Sequence, residues 1–242
     1  MPKYSLIVLA HNEEELIEES LKSLRNQACT DYELIVVDNN STDKTREIAA
    51  KYADVLMTEK KVGYMHAAQT GAKAAKGDYI AFCDADTRYP GRWLAEINAE
   101  FEKNPKLVAV YGPAVFFDHS KLYNAISGLS HTMFLGMVRI LGQHVGPSFN
   151  SVMKKEAYIS AGGYEPERYP YVAFDVELAK RLKKTGKMKL KPFNHVHTSA
   201  RRFRKCGTIR TSFMLMGAVL NVFTNSKQKI NYETYNKIRT GQ

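Results

Sequence analysis

Residues 79–93 read YIAFCDADTRYPGRW, and the change of character along this run decides the fold. Tyr79–Cys83 is a short apolar strand that breaks into Asp84-Ala85-Asp86, and helical spacing follows across Arg92–Glu102. The same order of apolar strand, polar turn and helix recurs upstream. Tyr4–Ala10 (YSLIVLA) runs into His11–Glu13, and Glu14–Asn26 then carries Leu16, Ile17, Leu21 and Leu24 on one helical face. Tyr32–Val37 runs into the turn-forming Asp38–Asp43 and a helix over Thr45–Tyr52. Val55–Thr58 precedes an Ala-rich helix from Gly63 to Lys76, and Leu107–Tyr111 is a further strand. Near-continuous apolar strands alternating with helices predict an α/β, doubly wound, mostly parallel sheet of Rossmann-like type. Such sheets bind ligands beyond the carboxyl ends of their strands, so the three polar turns are expected at one edge.

The second half is less regular. Val115–Val152 is expected to hold one or two helices, Lys154–Ala161 a helix stopped at Gly162-Gly163, and Asp175–Lys184 a further helix. The chain has 35 Lys and Arg against 25 Asp and Glu, but the excess is uneven. Residues 1–177 hold 24 acids and 19 bases, whereas residues 178–242 hold 16 bases and the single acid Glu233. Three distant cysteines, Cys29, Cys83 and Cys206, with no CxxC pair, argue against a disulfide scaffold or structural zinc and point to a reducing compartment. The first residues read as a strand and not as a leader. The longest apolar run, Phe213–Phe223, falls short of the roughly 20 residues a membrane span needs. A cytoplasmic protein is therefore expected, peripheral on the inner face of the plasma membrane if its apolar and basic segments meet lipid.

Asp84 and Asp86, two carboxylates at i and i+2 after a buried strand, suit one Mg2+ or Mn2+ ion completed by substrate phosphates. Capping of the following helix is the alternative use. Asp38 can accept a hydrogen bond from a nucleobase or ribose, or close an Asx turn. Asp175 opens a helix, where a carboxylate caps or, among apolar neighbours such as Tyr169, Tyr171 and Phe174, gains the basicity of a general base. His195 and His197 share a face if their segment is extended, which makes His197 an additional candidate ligand beside the more ordinary packed histidine. Arg201, Arg202, Arg204 and Lys205 offer forked donors suited to phosphate oxygens.

Taken in order, YSLIVLAHNEEE, ELIVVDNNSTDKT, GYMHAAQTGAKAAKGDYIAFCDADTRYPGRWL, KKEAYISAGGYEP and FDVELAKRLKKTG resemble family 2 glycosyltransferases of the GT-A fold, and TSARRFRKCG is similar to the arginine-rich element of some small members. The resemblance implies a nucleotide-sugar-binding half over 1–112, an acceptor-binding half over 113–200 and a basic and apolar extension over 201–242. It implies a UDP- or GDP-sugar donor, with Leu9, Ala10, Glu13, Gly63 and Ala85 lining the nucleotide-sugar site and Asp38 on the base. Asp84 would approach ribose or metal, Asp86 would hold the cation, and Arg201 and Arg202 would flank the departing diphosphate. Asp175 matches the family's general base, so transfer is expected to invert the anomeric carbon. The chain departs from the family at Leu9-Ala10-His11 where Pro-Thr-Tyr is usual, at Ala68 where Arg is frequent, and at Phe174 where Glu precedes the base.

The acceptor is expected to be a hydroxyl or phosphate, with a polyprenyl-phosphate-linked or glycan acceptor following if the apolar runs lie on an anionic membrane; the same runs would equally build a homodimer. A non-catalytic sugar-nucleotide binder and a nucleic-acid-binding protein working through the basic tail are the competing readings. No nucleic acid is expected as a partner, because the acidic turns would repel a phosphate backbone.

Overall fold

The computed structural model describes residues 1–165 and 173–224; Tyr169, Tyr171 and the end of the basic extension lie outside the described residues. In chain order the first elements are β1 (Tyr4–Ala10), α1 (Ile17–Arg25), β2 (Tyr32–Asp38), α2 (Thr45–Ala50), β3 (Val55–Thr58), α3 (Tyr64–Ala74) and β4 (Tyr79–Asp84). There follow β5 (Thr87–Arg88), α4 (Trp93–Lys103), β6 (Leu107–Tyr111), β7 (Ala114–Phe116) and the long α5 (Lys121–Ile140). The chain continues with β8 (Ser151–Lys154), α6 (Lys155–Ser160), α7 (Phe174–Thr185), β9 (Lys187–Leu190), β10 (Val196–Thr198), α8 (Arg201–Cys206) and α9 (Thr208–Phe223).

Seven strands form one sheet in the order β3-β2-β1-β4-β8-β6-β9. All run parallel except β8, which pairs antiparallel with both β4 and β6. The sheet is thus the doubly wound, mostly parallel α/β type, with one reversed strand in its interior, next to the central β4. Strand order turns back between β1 and β4, which makes their carboxyl ends the crevice of the fold. A second, small sheet of order β5-β10-β7 lies after β4 in the chain and frames that edge.

Successive residues of β1 point to opposite layers, and both layers are filled. Leu6 and Val8 pack with Leu21 and Leu24 of α1 and Trp93 of α4. Ile7 and Leu9 pack with Met65 and Ala68 of α3 and Leu178 of α7. Helix α3 lies close because it is built of small residues. A Cβ on Gly71 would stand 2.3 Å from Ile7 Cγ2 and 3.1 Å from Val37 Cγ2. Gly71→Ala is therefore expected to destabilise the fold by about 1–2 kcal/mol, overpacking outweighing the gain of about 1 kcal/mol in helix propensity. The check is a lower urea midpoint at unchanged slope.

The irregular second half resolves into the single 20-residue helix α5, the reversed strand β8 and the small sheet. The arginine-rich segment is the helix α8, while only Val196–Thr198 ahead of it is extended. Among the described residues no helix is long and apolar enough to cross a membrane, and Cys29 and Cys83 are free thiols.

Candidate active site

The edge turns are held by one another. Ala10 and Asp38 stand in register at the ends of β1 and β2, and Asn39 N–H donates to the Ala10 carbonyl at 2.8 Å. Beyond the strands Asn12 and Asn40 both adopt positive φ, 54° and 61°, a conformation asparagine tolerates better than most residues. The sharp turns let Asn12 N–H donate to Ser41 Oγ at 3.0 Å and Thr42 N–H to Asn12 Oδ1 at 2.8 Å. Glu13 N–H donates to Thr45 Oγ1 at 2.7 Å, so Glu13 is anchored through its backbone.

Asp38 is 2% exposed and accepts from Ser41 N–H, three residues on, at 3.3 Å, at the floor of this edge. The neighbouring Asn39 does more than its position in a polar turn foretells. Its Oδ1 accepts from Gly63 N–H at 2.7 Å, and its Nδ2 donates to the Glu59 and Lys61 carbonyls, both at 2.9 Å. One buried amide thus fastens the loop before α3, and Gly63 with it, to the end of β2. Only the three-dimensional meeting of these loops makes its role visible.

Asp84 ends β4, and its Oδ1 is buried without a hydrogen-bond partner. Its pKa is raised, first by burial and then by the charge of Asp86, with Glu13 and Asp175 adding to the repulsion and Arg202 opposing it. A buried carboxylate oxygen without a donor, crowded by other carboxylates, is the chemistry of a cation site. The residues present therefore fit a divalent ion. Among the described residues no three His, Cys, Asp or Glu side chains are gathered as a metal cage. Two carboxylates completed by ligand oxygens are the arrangement that Mg2+ prefers. The structure does not group His197 with Asp84 and Asp86. His197 lies on β10 opposite Arg88, and its pKa is lowered by burial, by His195 and by Arg88. His195 Nε2 is 3.2 Å from Thr132 Oγ1, which ties it to α5.

Arg201 does not point to empty space. Its Nη2 lies 3.1 Å from Asp86 Oδ2 and also pairs with Glu13 Oε1. The arginine thus bridges the first and third acidic turns. Arg204 pairs with Asp118 at 2.9 Å, and Asp118 also accepts from Ser199 Oγ and Ala200 N–H at the start of α8. Asp118 therefore fixes the arginine helix against the edge, a role that its place between β7 and α5 conceals. Arg202 is exposed, and its charge reaches both Asp84 and Asp175.

Asp175 enters from α7. The preceding Ala173 has φ 58°, a strained conformation for alanine that turns the chain into the helix. Asp175 Oδ1 accepts from Val176 N–H at 2.9 Å. The residue borders a cavity of about 10 Å³ shared with Tyr164, Leu178 and Ser151. Burial pushes its carboxyl up to about 6, against the backbone N–H groups of Val176 and Ser148 and the charge of Arg202. The Phe174 ring lies tilted against Tyr64 at 4.7 Å and meets Tyr164 edge-on at 5.5 Å. An aromatic cluster thus packs at the start of α7, next to Asp175 in the chain.

The sheet with its acidic carboxyl edge, the reversed strand and the arginine helix define an α/β fold of GT-A type. The glycosyl transferase family 2 profile matches residues 5–160, and the chain belongs to that family. It is 35% identical over 109 residues to the uncharacterized glycosyltransferase EpsJ of Bacillus subtilis, a match covering 43% of this chain and 32% of that protein. It is 25% identical over 174 residues to a poly-beta-1,6-N-acetyl-D-glucosamine synthase of Staphylococcus epidermidis, covering 67% of this chain and 42% of the synthase. The matched stretches thus span under half the length of these relatives. Among solved structures, S. aureus TarS 1–349 in complex with UDP superposes with a TM-score of 0.67 at 16% identity, over 98% of this chain and 69% of that one. The mannosyltransferase PcManGT of Pyrobaculum calidifontis, in complex with GDP-Man and Mn2+, superposes with 0.64 at 20% identity, over 99% and 74%.

Proposed function

We propose that the chain is a metal-dependent, inverting glycosyltransferase that moves a sugar from a UDP- or GDP-linked donor to an acceptor hydroxyl or phosphate. The observation that carries this reading is the convergence of Glu13, Asp38, Asp84 and Asp86 from three strand ends with Asp175 from α7. Asp175 is close enough for its charge to add to the repulsion on Asp84. Support comes also from relatives solved with UDP, with UDP-GlcNAc and with GDP-Man and Mn2+.

On this reading Asp38, Leu9, Ala10 and Gly63 line the nucleoside side, and Asp86 with Asp84 holds Mg2+ or Mn2+ against the diphosphate. A divalent ion bound there supplies Lewis-acid stabilisation of the leaving diphosphate. Arg201, released from Asp86 and Glu13, and Arg202 supply guanidinium charge to the same oxygens. Asp175 takes the proton of the acceptor group as its oxygen attacks the anomeric carbon from the face opposite the diphosphate. That single displacement inverts the configuration.

The test is a panel of UDP- and GDP-sugars assayed for nucleoside diphosphate release with Mn2+, with Mg2+ and with chelator, followed by the anomeric configuration of the product. Donor binding without turnover toward any acceptor would instead mark a sugar-nucleotide binder. A pH dependence follows. The base works ionised, and its pKa lies near 6. We expect kcat/KM to fall about tenfold per unit below pH 6 and to level off above it, read from initial rates at fixed metal concentration.

A further inference from the structure

Helix α5 carries an apolar stripe that the fold does not cover. Leu122, Ile126, Leu129, Met133, Met137 and Ile140 are each more than half exposed. At about 100° per residue they fall within an arc of about 80° along the whole helix. On the opposite side of α5, Leu135 and Val138 pack into a cluster with Ala218 and Val222 of α9, Val176 of α7 and Ala173 just before it. Helix α9 repeats the pattern on its outer side with Phe213, Met216 and Leu220. The two helices are also joined where they begin, Tyr123 Oη lying 3.0 Å from Thr208 Oγ1.

Charge accompanies the stripes. Residues 119–155 and 178–224 contain no Asp or Glu, so both helices lie in acid-free sequence. Lys121 and Arg139 at the two ends of α5, and Lys205 and Arg210 before and within α9, are exposed. We infer that the outer face of α5 docks on an anionic lipid bilayer, with its leucine, isoleucine and methionine side chains entering the headgroup boundary and the neighbouring cations meeting lipid phosphates. Charge complementarity decides between this and a second copy. A two-fold interface would set the same acid-free, cationic patch against itself, with no carboxylate to offset the repulsion. An anionic surface offsets it with every basic residue that approaches.

The position of the face bears on the acceptor. Ala173 and Val176 flank Asp175 in sequence and belong to the cluster that holds α5 and α9. A lipid-seated α5 would therefore hold the base about one helix diameter, roughly 10 Å, from the bilayer surface, on the side of the protein where a polyprenyl-phosphate-linked acceptor presents its head. This consequence for the acceptor rests on the transferase reading; the docking does not.

The experiment is flotation of the full chain with vesicles of phosphatidylcholine alone, and with about 30% phosphatidylglycerol added. We expect the protein to float with the anionic vesicles and to stay behind with the neutral ones. Raising salt to about 0.5 M should weaken the binding several-fold. L129E combined with M133E, both at exposed positions, should cut vesicle binding at least about tenfold at unchanged thermal midpoint and unchanged donor turnover in detergent-free solution. No flotation with either vesicle overturns the inference. So does a dimer by light scattering that the same double variant converts to monomer without any loss of lipid binding. Donor turnover without flotation would leave the transferase reading standing and remove only the docking; flotation without turnover would do the reverse.

Discussion

Asp175→Asn is expected to lower kcat by about a thousandfold while leaving donor KM within a few-fold, because a positioned general base contributes about 10²–10⁴ in rate and no donor contact is removed. The amide keeps the shape and can still accept from Val176 N–H, so the loss isolates the proton transfer. A second readout separates this role from a structural one. The pKa of Asp175 is raised from 3.8 to about 6 in the folded chain. Between those values the folded state keeps a proton that the unfolded state has lost, so stability declines as pH rises through that window. At neutral pH the ionised, buried carboxylate therefore costs the fold up to about 3 kcal/mol. The asparagine variant should accordingly melt several degrees higher than the parent at pH 7 and no higher at pH 4. A variant that loses both stability and turnover would show Asp175 to be a cap for α7 and nothing more.

The second large effect is expected at Asp86. Asp86→Asn removes one of the two carboxylates that would hold the cation and one partner of Arg201. Lewis-acid stabilisation of a leaving diphosphate amounts to several kcal/mol, so metal-stimulated turnover should fall about a thousandfold. The rise in thermal midpoint that Mn2+ gives the parent should disappear with it. Persistence of full metal-stimulated turnover would move the ion elsewhere and overturn the assignment. The same variant weakens the repulsion on Asp84, so its expected melting temperature without metal is at or above that of the parent.

Much of this geometry is legible in the order of the amino acids. Tyr4–Ala10, Val55–Thr58 and Leu107–Tyr111 coincide with the strands formed, because an apolar run between turn residues has few other uses in a chain of this composition. The acidic turns are legible for the same reason: Asp84 interrupts YIAFC where nothing in the strand requires it. The second half is harder. Strand β8 is four residues long and gains its place only through partners near residues 80 and 110, which no local pattern announces. The arginine segment is readable as anion-binding by composition. Its use of Glu13, about 190 residues away in sequence, is not, nor is the service of Asp118 and Asn39 as anchors. Those roles depend on loops meeting, and a one-dimensional pattern holds no record of that.

The reversed strand has a consequence for how the molecule is made. β4 and β6 do not pair; β8 lies between them and pairs with both. Until residues 151–154 arrive, β3-β2-β1-β4 is one ribbon with an open edge, and β6 has no bridge to it. During synthesis, then, the first four strands wait with an unprotected hydrophobic border while some 70 further residues are added, the kind of long-range closure that folds slowly and aggregates easily. The nascent chain is most in need of a chaperone in that interval, and substitutions in Ser151–Lys154 should reduce soluble yield more than they reduce the stability of whatever protein is recovered.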